Sequence, residues 1–570
     1  MDPAAGPFDV VIAGGGSAGG VLAARLSEDP ATRVLLVEAG PNIEDGAVPS
    51  AIASSYPGRA QFNSAWFWTG LQATMGELRG NSPATPRPYE QPRLLGGGSS
   101  VNGLGANRGQ PADYAEWAAN GAIGWGWDDV LPFFRKLETD LTSSNGLHGT
   151  DGPLPIQRVR RADWTGYSRA IEHAAGHLGL PPADDQNGRW QTGVFPTAIN
   201  LDAAGRRASV ALAYLTPEVR RRPNLTILTG TAVRQIVLED GRATGLLVGG
   251  QGGARRIVAR RVIIASGAIG SPALLLRSGI GPGGHLAERG IPIVLPRPGV
   301  GENLQEHPAI GLSAFLAPAA RAPTGECYHL QSLLRWSSGL PGTPEGDMHI
   351  AVSSRSGWHA VGRRIGTLYG WVNKSYARGR VRLGAAPDGP PDVDFRMLSD
   401  PRDLTRLMQS FRFCLRVLEG ARALGAVEEI FASSYSARIK ALMRPSRRNG
   451  VLMGLAGTLM DLSPTLRRRM IAAATDGAPA VTALAADDNA LEDHLRRMVG
   501  GVWHPCGTCR MGDPRDPMAV TDPTGHVIGV DGLMVCDASI MPTIPCANLN
   551  IPVIMCAEKI AEGIRREGMA

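Results

Sequence analysis

The 570-residue chain predicts an α/β protein in which a discontinuous Rossmann-like dinucleotide-binding domain is interrupted by an antiparallel-sheet cap. Three observations carry this expectation. Strand-then-helix signals recur at the beginning, middle and end of the chain. The first of them encloses a glycine cluster of the form GxGxxG, and the sequence between them shifts toward turn residues and short alternating runs. A chain of this length exceeds the size at which one core keeps growing, so two interleaved domains are expected.

The elements follow in order. Phe8 to Ala13 is a short apolar β-type run that enters Gly14-Gly15-Gly16-Ser17-Ala18-Gly19; Val21 to Leu26 then reads as helix and Arg33 to Val37 as a second strand closing at Glu38. Arg261 to Ala265 is a strand-like run leading into Ser266-Gly267-Ala268 and a helix from about Ser271 to Leu276. Leu533 to Cys536 leads into Asp537-Ala538-Ser539, and a last helix is expected from Ile551 or Pro552 toward Glu567, since proline is favoured in a first helical turn. Alternation in Gly379-Arg380-Val381-Arg382-Leu383 suggests antiparallel strands in the intervening region. The expected partition gives residues 1–155, 210–315 and 496–570 to the nucleotide-binding domain and 156–209 and 316–495 to the cap.

Composition narrows the classes. A hydrophobic content of 43% and a charged content of 19% describe an ordinary globular protein, and a net charge of +6 is small for this length. Nucleic-acid binding would want a basic stripe with interleaved aromatics, whereas Trp66-Phe67-Trp68 and Trp125-Gly126-Trp127 stand apart from the arginines; no nucleic-acid partner is expected. The N-terminal MDPAAGPFDVVIAGGG lacks the pattern of a signal peptide, and no run of eighteen apolar residues suggests a spanning helix. Seven irregularly spaced cysteines argue against a disulfide framework and for a reduced, cytoplasmic setting.

The glycine cluster gains meaning from its context. A strand precedes it, a helix follows, and Glu38 closes the next strand about 20 residues on, which is the dinucleotide fingerprint. Gly14 would make the tight turn, Gly16 admit a pyrophosphate against the backbone, and Gly19 allow close helix–strand packing; the helix start, with Ser17 and Ala18, offers unpaired N–H groups to phosphate. Glu38 would accept hydrogen bonds from the adenosine ribose. A second stretch, Arg93-Leu94-Leu95-Gly96-Gly97-Gly98-Ser99-Ser100-Val101-Asn102-Gly103, has glycines that let the chain lie flat on a large planar ligand, with Ser99, Ser100 and Asn102 as hydrogen-bonding candidates for ring heteroatoms. Alone, it also reads as a mobile glycine loop.

These two stretches, with Gly267-Ala268-Ile269-Gly270-Ser271-Pro272, Gly299-Val300-Gly301-Glu302-Asn303-Leu304, Trp503-His504-Pro505 and Asp537-Ala538-Ser539-Ile540-Met541-Pro542, resemble the glucose-methanol-choline (GMC) oxidoreductase family along nearly the whole chain. The likeness includes Tyr89-Glu90-Gln91 and Trp371-Val372-Asn373-Lys374, as in the bacterial 5-hydroxymethylfurfural oxidase and choline-dehydrogenase-like group. The resemblance implies a Rossmann-like FAD-binding domain with an antiparallel-sheet substrate-binding cap domain, and hydride transfer from an alcohol to flavin N5. It assigns His504 as base, for which a neutral imidazole with a pKa near 7 would suit, and Asn548 as the second catalytic position, donating to the substrate oxygen. On its own Asn548 also reads as a cap of the last helix, or as sharing its role with Asn550. The resemblance further implies cofactor contacts at Ala39, Val233, Ser266, Gly267, Asp537, Ala538, Asn548, Asn550 and Ile551, and substrate contacts at Trp371, Val502, Trp503 and His504. The last helix would point its positive end at the flavin edge that gains charge on reduction.

Val101 stands where relatives with a covalent flavin carry histidine, so non-covalent FAD is expected. Cys506-Gly507-Thr508-Cys509 has CxxC spacing but no second pair, so it reads as packing and no metal is expected. The expected partners are a primary alcohol, aryl or furanic, and an electron acceptor, either oxygen or a quinone or dye. Residues 436–485 form a longer segment than in close relatives, with an apolar run at Val451–Met460 beside Arg444, Arg447, Arg448 and Arg467–Arg469. It reads either as an elaborated cap helix or, over 444–469, as a peripheral contact with the inner membrane face. A light-driven fatty-acid decarboxylase on the same scaffold would need a long apolar tunnel and a carboxylate clamp. A non-catalytic flavin protein would be expected to lose His504 and Asn548, and an NAD-linked dehydrogenase would explain only the first glycine motif.

Overall fold

Phe8–Ala13 is the strand around which the first sheet is built. Its neighbours are both parallel: Val34–Val37 on one side, followed by Leu225–Leu228, and Gly253–Ile264 on the other. Gly253–Ile264 is long enough to serve two further partners in succession, antiparallel Arg242–Gly250 at its beginning and parallel Leu533–Val535 at its end. Strands of a parallel sheet are covered on both faces, which is why Val-Leu-Leu-Val at 34–37 is apolar without alternation and wholly buried. The structure is a computed structural model that describes residues 6–568, apart from residues 81, 83, 251, 252, 326 and 435.

The three helices after these strands start earlier than the sequence pattern suggests. They span Ser17–Leu26, Gly267–Arg277 and Asn550–Glu567. Glycine is a poor helix former by propensity, yet packing requires it here: a Cβ on Gly19 would lie 1.9 Å from the Gly14 carbonyl oxygen. The first and last helices pack side by side although more than 500 residues separate them in sequence.

The second sheet is six-stranded and antiparallel throughout, in the order Val427–Ala432, Ala309–Leu316, Ile365–Val372, Met348–Ser353, Leu330–Trp336 and Gly193–Pro196. Ala309–Leu316, which the sequence partition leaves in the nucleotide-binding part, is thus a fully buried inner strand of the cap sheet. Helix Pro401–Ala423 covers this sheet, capped by Asp400, whose carboxylate accepts from the Arg402 N–H. Arg380–Arg382 does pair antiparallel, with Asp392–Met397, but in a small separate sheet that also takes Gln72–Gly76 and Arg87–Pro88. Each large sheet has its own apolar core.

Residues 436–485 are helical, with Ala437–Met443, Arg447–Leu462, Pro464–Ala474 and Val481–Ala486 joined by short turns. Among the described residues no helix is long and apolar enough to cross a membrane.

Candidate active site

The two glycine stretches meet. The Gly96 N–H donates to the Gly15 carbonyl at 2.7 Å, and a Cβ on Gly97 would come within 2.8 Å of the Gly16 Cα, so the second loop lies directly on the fingerprint turn. Gly14 has φ of +111°, and a side chain there would also strike the Ala265 carbonyl. Glu38 is buried and its carboxylate accepts from the Gly15 and Gly40 N–H groups at 2.9 and 2.7 Å; burial pushes its pKa up against those bonds. Ser17 Oγ donates to Asn550 Oδ1 at 2.8 Å, joining the first helix to the start of the last.

This cradle fits FAD. Among the described residues, a Cβ built on Gly98 or Gly267 would meet nothing within 4 Å beyond its own chain neighbours and helix backbone, so the lip of the cradle faces open space rather than packing. The described N-termini of helices 17–26 and 550–567 supply N–H groups and partial positive charge at that space. Some expected contacts take another form. Ser99 Oγ donates to the Gly96 carbonyl and accepts from Val210 N–H, and Ser100 Oγ donates to the Leu95 carbonyl. Asn102 Oδ1 accepts from Leu104 N–H and from the buried Arg207 guanidinium. These oxygens hold the loop flat, because a loop so rich in glycine needs internal hydrogen bonds to keep one conformation. Val101 is buried in the main core beneath the same loop.

Asp537 is buried and binds the start of helix 267–277: its carboxylate accepts from Gly267 N–H and Ser271 Oγ on one oxygen and Ser539 N–H on the other. Ser266 Oγ donates to the Ala13 carbonyl at 2.8 Å. Ala538 lies in the turn after Asp537, while Ala39 and Val233 lie half-buried beside the sheet's C-terminal end and in the hairpin strand, respectively. Arg93 is exposed, its guanidinium 5.0 Å from the centre of the Trp68 ring. Gly103 accepts from Tyr328 Oη through its carbonyl, and Ile551 is buried in the first turn of the last helix.

His504 sits where the two domains meet, between Gly500, which pairs with Ala309, and Cys506, which pairs with Gln305. Its hydrogen bonds have one consistent direction. The Pro545 carbonyl can only accept, so His307 Nε2, 3.2 Å away, carries the proton and donates. His307 Nδ1 is then an acceptor, and His504 Nδ1, 3.0 Å away, donates to it. That leaves Nε2 of His504 unprotonated, an acceptor to which the Asn548 amide nitrogen, 3.2 Å away, donates. From the other side, Ala198 N–H donates to Gln186 Oε1, Gln186 Nε2 to Asn107 Oδ1, and Asn107 Nδ2 to Asn548 Oδ1 at 2.5 Å, which orients that amide nitrogen toward the imidazole. Backbone groups anchor the chain at both ends, so the tautomer of His504 is set by structure.

The Glu306 carboxylate supports this arrangement from behind. It accepts from the backbone N–H of His504 at 2.7 Å and of His307 at 2.8 Å, and from Tyr89 Oη at 2.6 Å. Burial raises its pKa to about 7 against the pull of those donors. Among the described residues no carboxylate touches the ring of His504, and the protein packed around it disfavours charge, which lowers its pKa to about 3 although part of the residue still meets solvent. The imidazole is therefore neutral at pH 7, with a lower proton affinity than the sequence reading assigns it.

Asn548 does not cap the last helix; Leu549 occupies that position without a side-chain cap, which frees the amide for the relay. Trp503 is 47% exposed, has φ of +61° and donates from Nε1 to Glu90 Oε2 at 3.3 Å. Val502 is half-buried, and Trp371 is buried with its ring stacked on His349 at 4.1 Å. Glu306, His307 and His504 are close enough to suggest a metal triad, but the ring nitrogens and the carboxylate are already engaged with one another, with backbone and with Tyr89. A second such cluster, Glu138, Asp140 and His148, is threaded by Arg108 and Arg158, whose charges take the place a cation would need. Cys506 and Cys509 are buried free thiols whose pKa values burial pushes up.

Sequence reasoning missed Glu306, His307, Asn107 and Gln186. The signal nearest to hand was Glu306-His307, an acid–histidine pair two residues beyond the Gly299–Leu304 motif.

A flavin cradle opening beside a neutral imidazole of fixed tautomer defines an FAD-dependent alcohol oxidoreductase. The chain belongs to the GMC oxidoreductase family, whose N-terminal model matches residues 8–309 and whose C-terminal model matches residues 375–557. It is 41% identical over 566 residues to a 5-(hydroxymethyl)furfural oxidase of Methylovorus sp. (strain MP688), covering 98% of each chain. It is 34% identical to an oxygen-dependent choline dehydrogenase of Brucella canis, covering 98% of this chain and 95% of that one. A solved structure of pyridoxine 4-oxidase from Mesorbium loti superposes with a TM-score of 0.80 at 29% identity, covering 98% of this chain and 99% of the other.

Proposed function

We propose that the protein oxidises a primary alcohol, aryl or furanic, to the aldehyde, with His504 as the base and Asn548 as the hydrogen-bond donor to the substrate oxygen. Bound FAD supplies the hydride acceptor. The observation that carries this reading is the directed relay, which leaves the Nε2 lone pair of His504 as the one unprotonated nitrogen of a neutral ring beside the Asn548 amide. An alcohol hydroxyl placed between them donates its proton to Nε2 while its oxygen accepts from Asn548 Nδ2, so negative charge on that oxygen is met as it forms. Asn548 cannot compete for the proton, because an amide nitrogen is not a base. Likeness to an oxidase of a furanic alcohol at 41% identity supports the substrate class and oxygen as an acceptor, with a quinone or dye as the alternative. A cytoplasmic setting, with peripheral contact at the inner membrane face, fits seven free cysteines and the basic segment at 444–469.

The test is anaerobic mixing of the holoenzyme with aryl, furanic and aliphatic alcohols, followed by air. Loss of the flavin absorbance with aryl or furanic alcohols and prompt return with peroxide is expected. His504→Ala should lower the reductive rate by about 10²–10⁴-fold with the oxidised spectrum unchanged. An enzyme whose spectrum no alcohol alters, or a His504→Ala variant as fast as the parent, would overturn the assignment.

A further inference from the structure

Helix Arg447–Leu462 divides its side chains by face. Met453, Gly457 and Met460 are buried against the cap. Val451, Leu452, Leu455, Leu459 and Leu462 point away from it and are 68%, 46%, 65%, 47% and 76% exposed. At about 100° per residue these five fall within an arc of roughly 100°, a continuous apolar stripe running the length of the helix. An apolar patch of this kind, turned outward from a protein with two well-filled cores, marks an interaction surface.

The charge around the stripe identifies its partner. Residues 437–480 hold eight arginines and lysines against two aspartates, which equals the net charge of +6 of the whole chain. Lys440, Arg467 and Arg468 pair with Glu90, Glu428 and Glu429, but Arg444, Arg447 and Arg448 are exposed and have no ion-pair partner among the described residues. Arg448 falls in line with the stripe at its N-terminal end. Asp461, on the flank of the helix, is held inward by Arg321 and Arg364. Two copies of this chain meeting through the segment would set two strongly positive surfaces against each other, whereas anionic headgroups would neutralise one.

We propose that helix Arg447–Leu462 is an interfacial docking element that seats the protein on an anionic phospholipid bilayer, with its leucine face among the acyl chains and Arg444, Arg447 and Arg448 at the headgroups. The same segment reaches the active site. Lys440 Nζ donates to Glu90 Oε1 at 2.8 Å, and the other oxygen of Glu90 accepts from Trp503, the residue before His504. Through Glu90 the docking segment is thus tied to the residue next to His504. The proposal concerns binding and stands whether or not the assigned alcohol chemistry holds.

The experiment is flotation of the FAD-loaded protein with vesicles of phosphatidylglycerol mixed with phosphatidylcholine, and with vesicles of phosphatidylcholine alone, read by protein in the floated fraction. Binding to the anionic vesicles should exceed binding to the neutral ones by at least about tenfold and weaken with salt. Arg447→Gln with Arg448→Gln should weaken it by about thirtyfold, at about fivefold per basic side chain, and Leu455→Glu with Leu459→Glu should abolish it. All variants should keep the flavin spectrum and the melting temperature of the parent. Absence of flotation, or flotation that neither pair of substitutions changes, overturns the proposal. So does self-association that Leu455→Glu abolishes while the parent leaves vesicles unbound, which would make the stripe a contact between copies.

Discussion

His307 never meets the substrate in the proposed chemistry, yet its replacement tests the central claim about His504. In His307→Leu the Nδ1–H of His504 loses its acceptor in a closed site. A buried donor left unpaired costs about 1–3 kcal/mol. That cost falls on the productive tautomer alone, since the other tautomer has no proton at Nδ1. At about 1.4 kcal/mol per factor of ten, kcat should fall by about 5- to 150-fold with KM little changed. His307→Asn offers Oδ1 near the position of Nδ1 and should recover most of the loss, although it gives up the bond to Pro545. The assay is the reductive half-reaction of both variants by stopped flow, alongside nitrogen-15 spectra of labelled histidine, which report the protonated ring nitrogen directly. A leucine variant within twofold of the parent, or spectra with the His504 proton on Nε2 in the parent, would refute the relay.

Three further outcomes follow from the same structure. The pKa values of His504 and His329 are lowered to about 3 and those of His359 and His494 to about 4, all by desolvation. Below pH 6.5 the unfolded chain therefore binds more protons than the folded one, so stability is complete above that pH and is lost on acidification, outweighing the opposite slope from Glu306. The melting temperature should drop from pH 7 to pH 5; a flat or rising trend would contradict the burial of these rings. Gly98→Val places its side chain in the open lip of the cradle and should reduce FAD content by at least about tenfold while far-UV circular dichroism is preserved. Full FAD occupancy would show that the flavin lies elsewhere. Glu558 is fully buried on the last helix and binds Arg25 of the first helix and Tyr214. Glu558→Ala leaves the buried Tyr214 hydroxyl without its acceptor and the partly exposed Arg25 with Glu28 as its remaining partner, and should destabilise the protein by about 1–3 kcal/mol in denaturant titration.

What the sequence disclosed depended on whether a residue's role was local. Phe8–Ala13 was legible to the residue because a buried parallel strand must be apolar throughout and must stop at the glycine turn. Resemblance pointed to His504 and Asn548, which are embedded in motifs, and the structure brings their side chains within 3.2 Å of each other. Glu306 and His307 were not legible, because their partners lie 198 and 197 residues away and no spacing encodes such a contact. The hydroxyls of Ser99 and Ser100 bond within their own loop, a role the sequence does not distinguish from service to a ligand. Helix starts were placed late because propensity penalises glycine where close packing demands it.

The members of the relay come from residues 107, 186, 307, 504 and 548, and its ends are tied to the backbone at 198 and 545. A chain leaving the ribosome has strand, turn and first helix of its nucleotide fold almost at once, yet the proposed base and its amide partner meet only after about the last eighth has been made and both domains have closed on them. With His504 as the proposed base, redox competence arrives only with the complete tertiary structure. A half-made or half-unfolded molecule that still held a flavin would lack the means to strip hydride from passing alcohols.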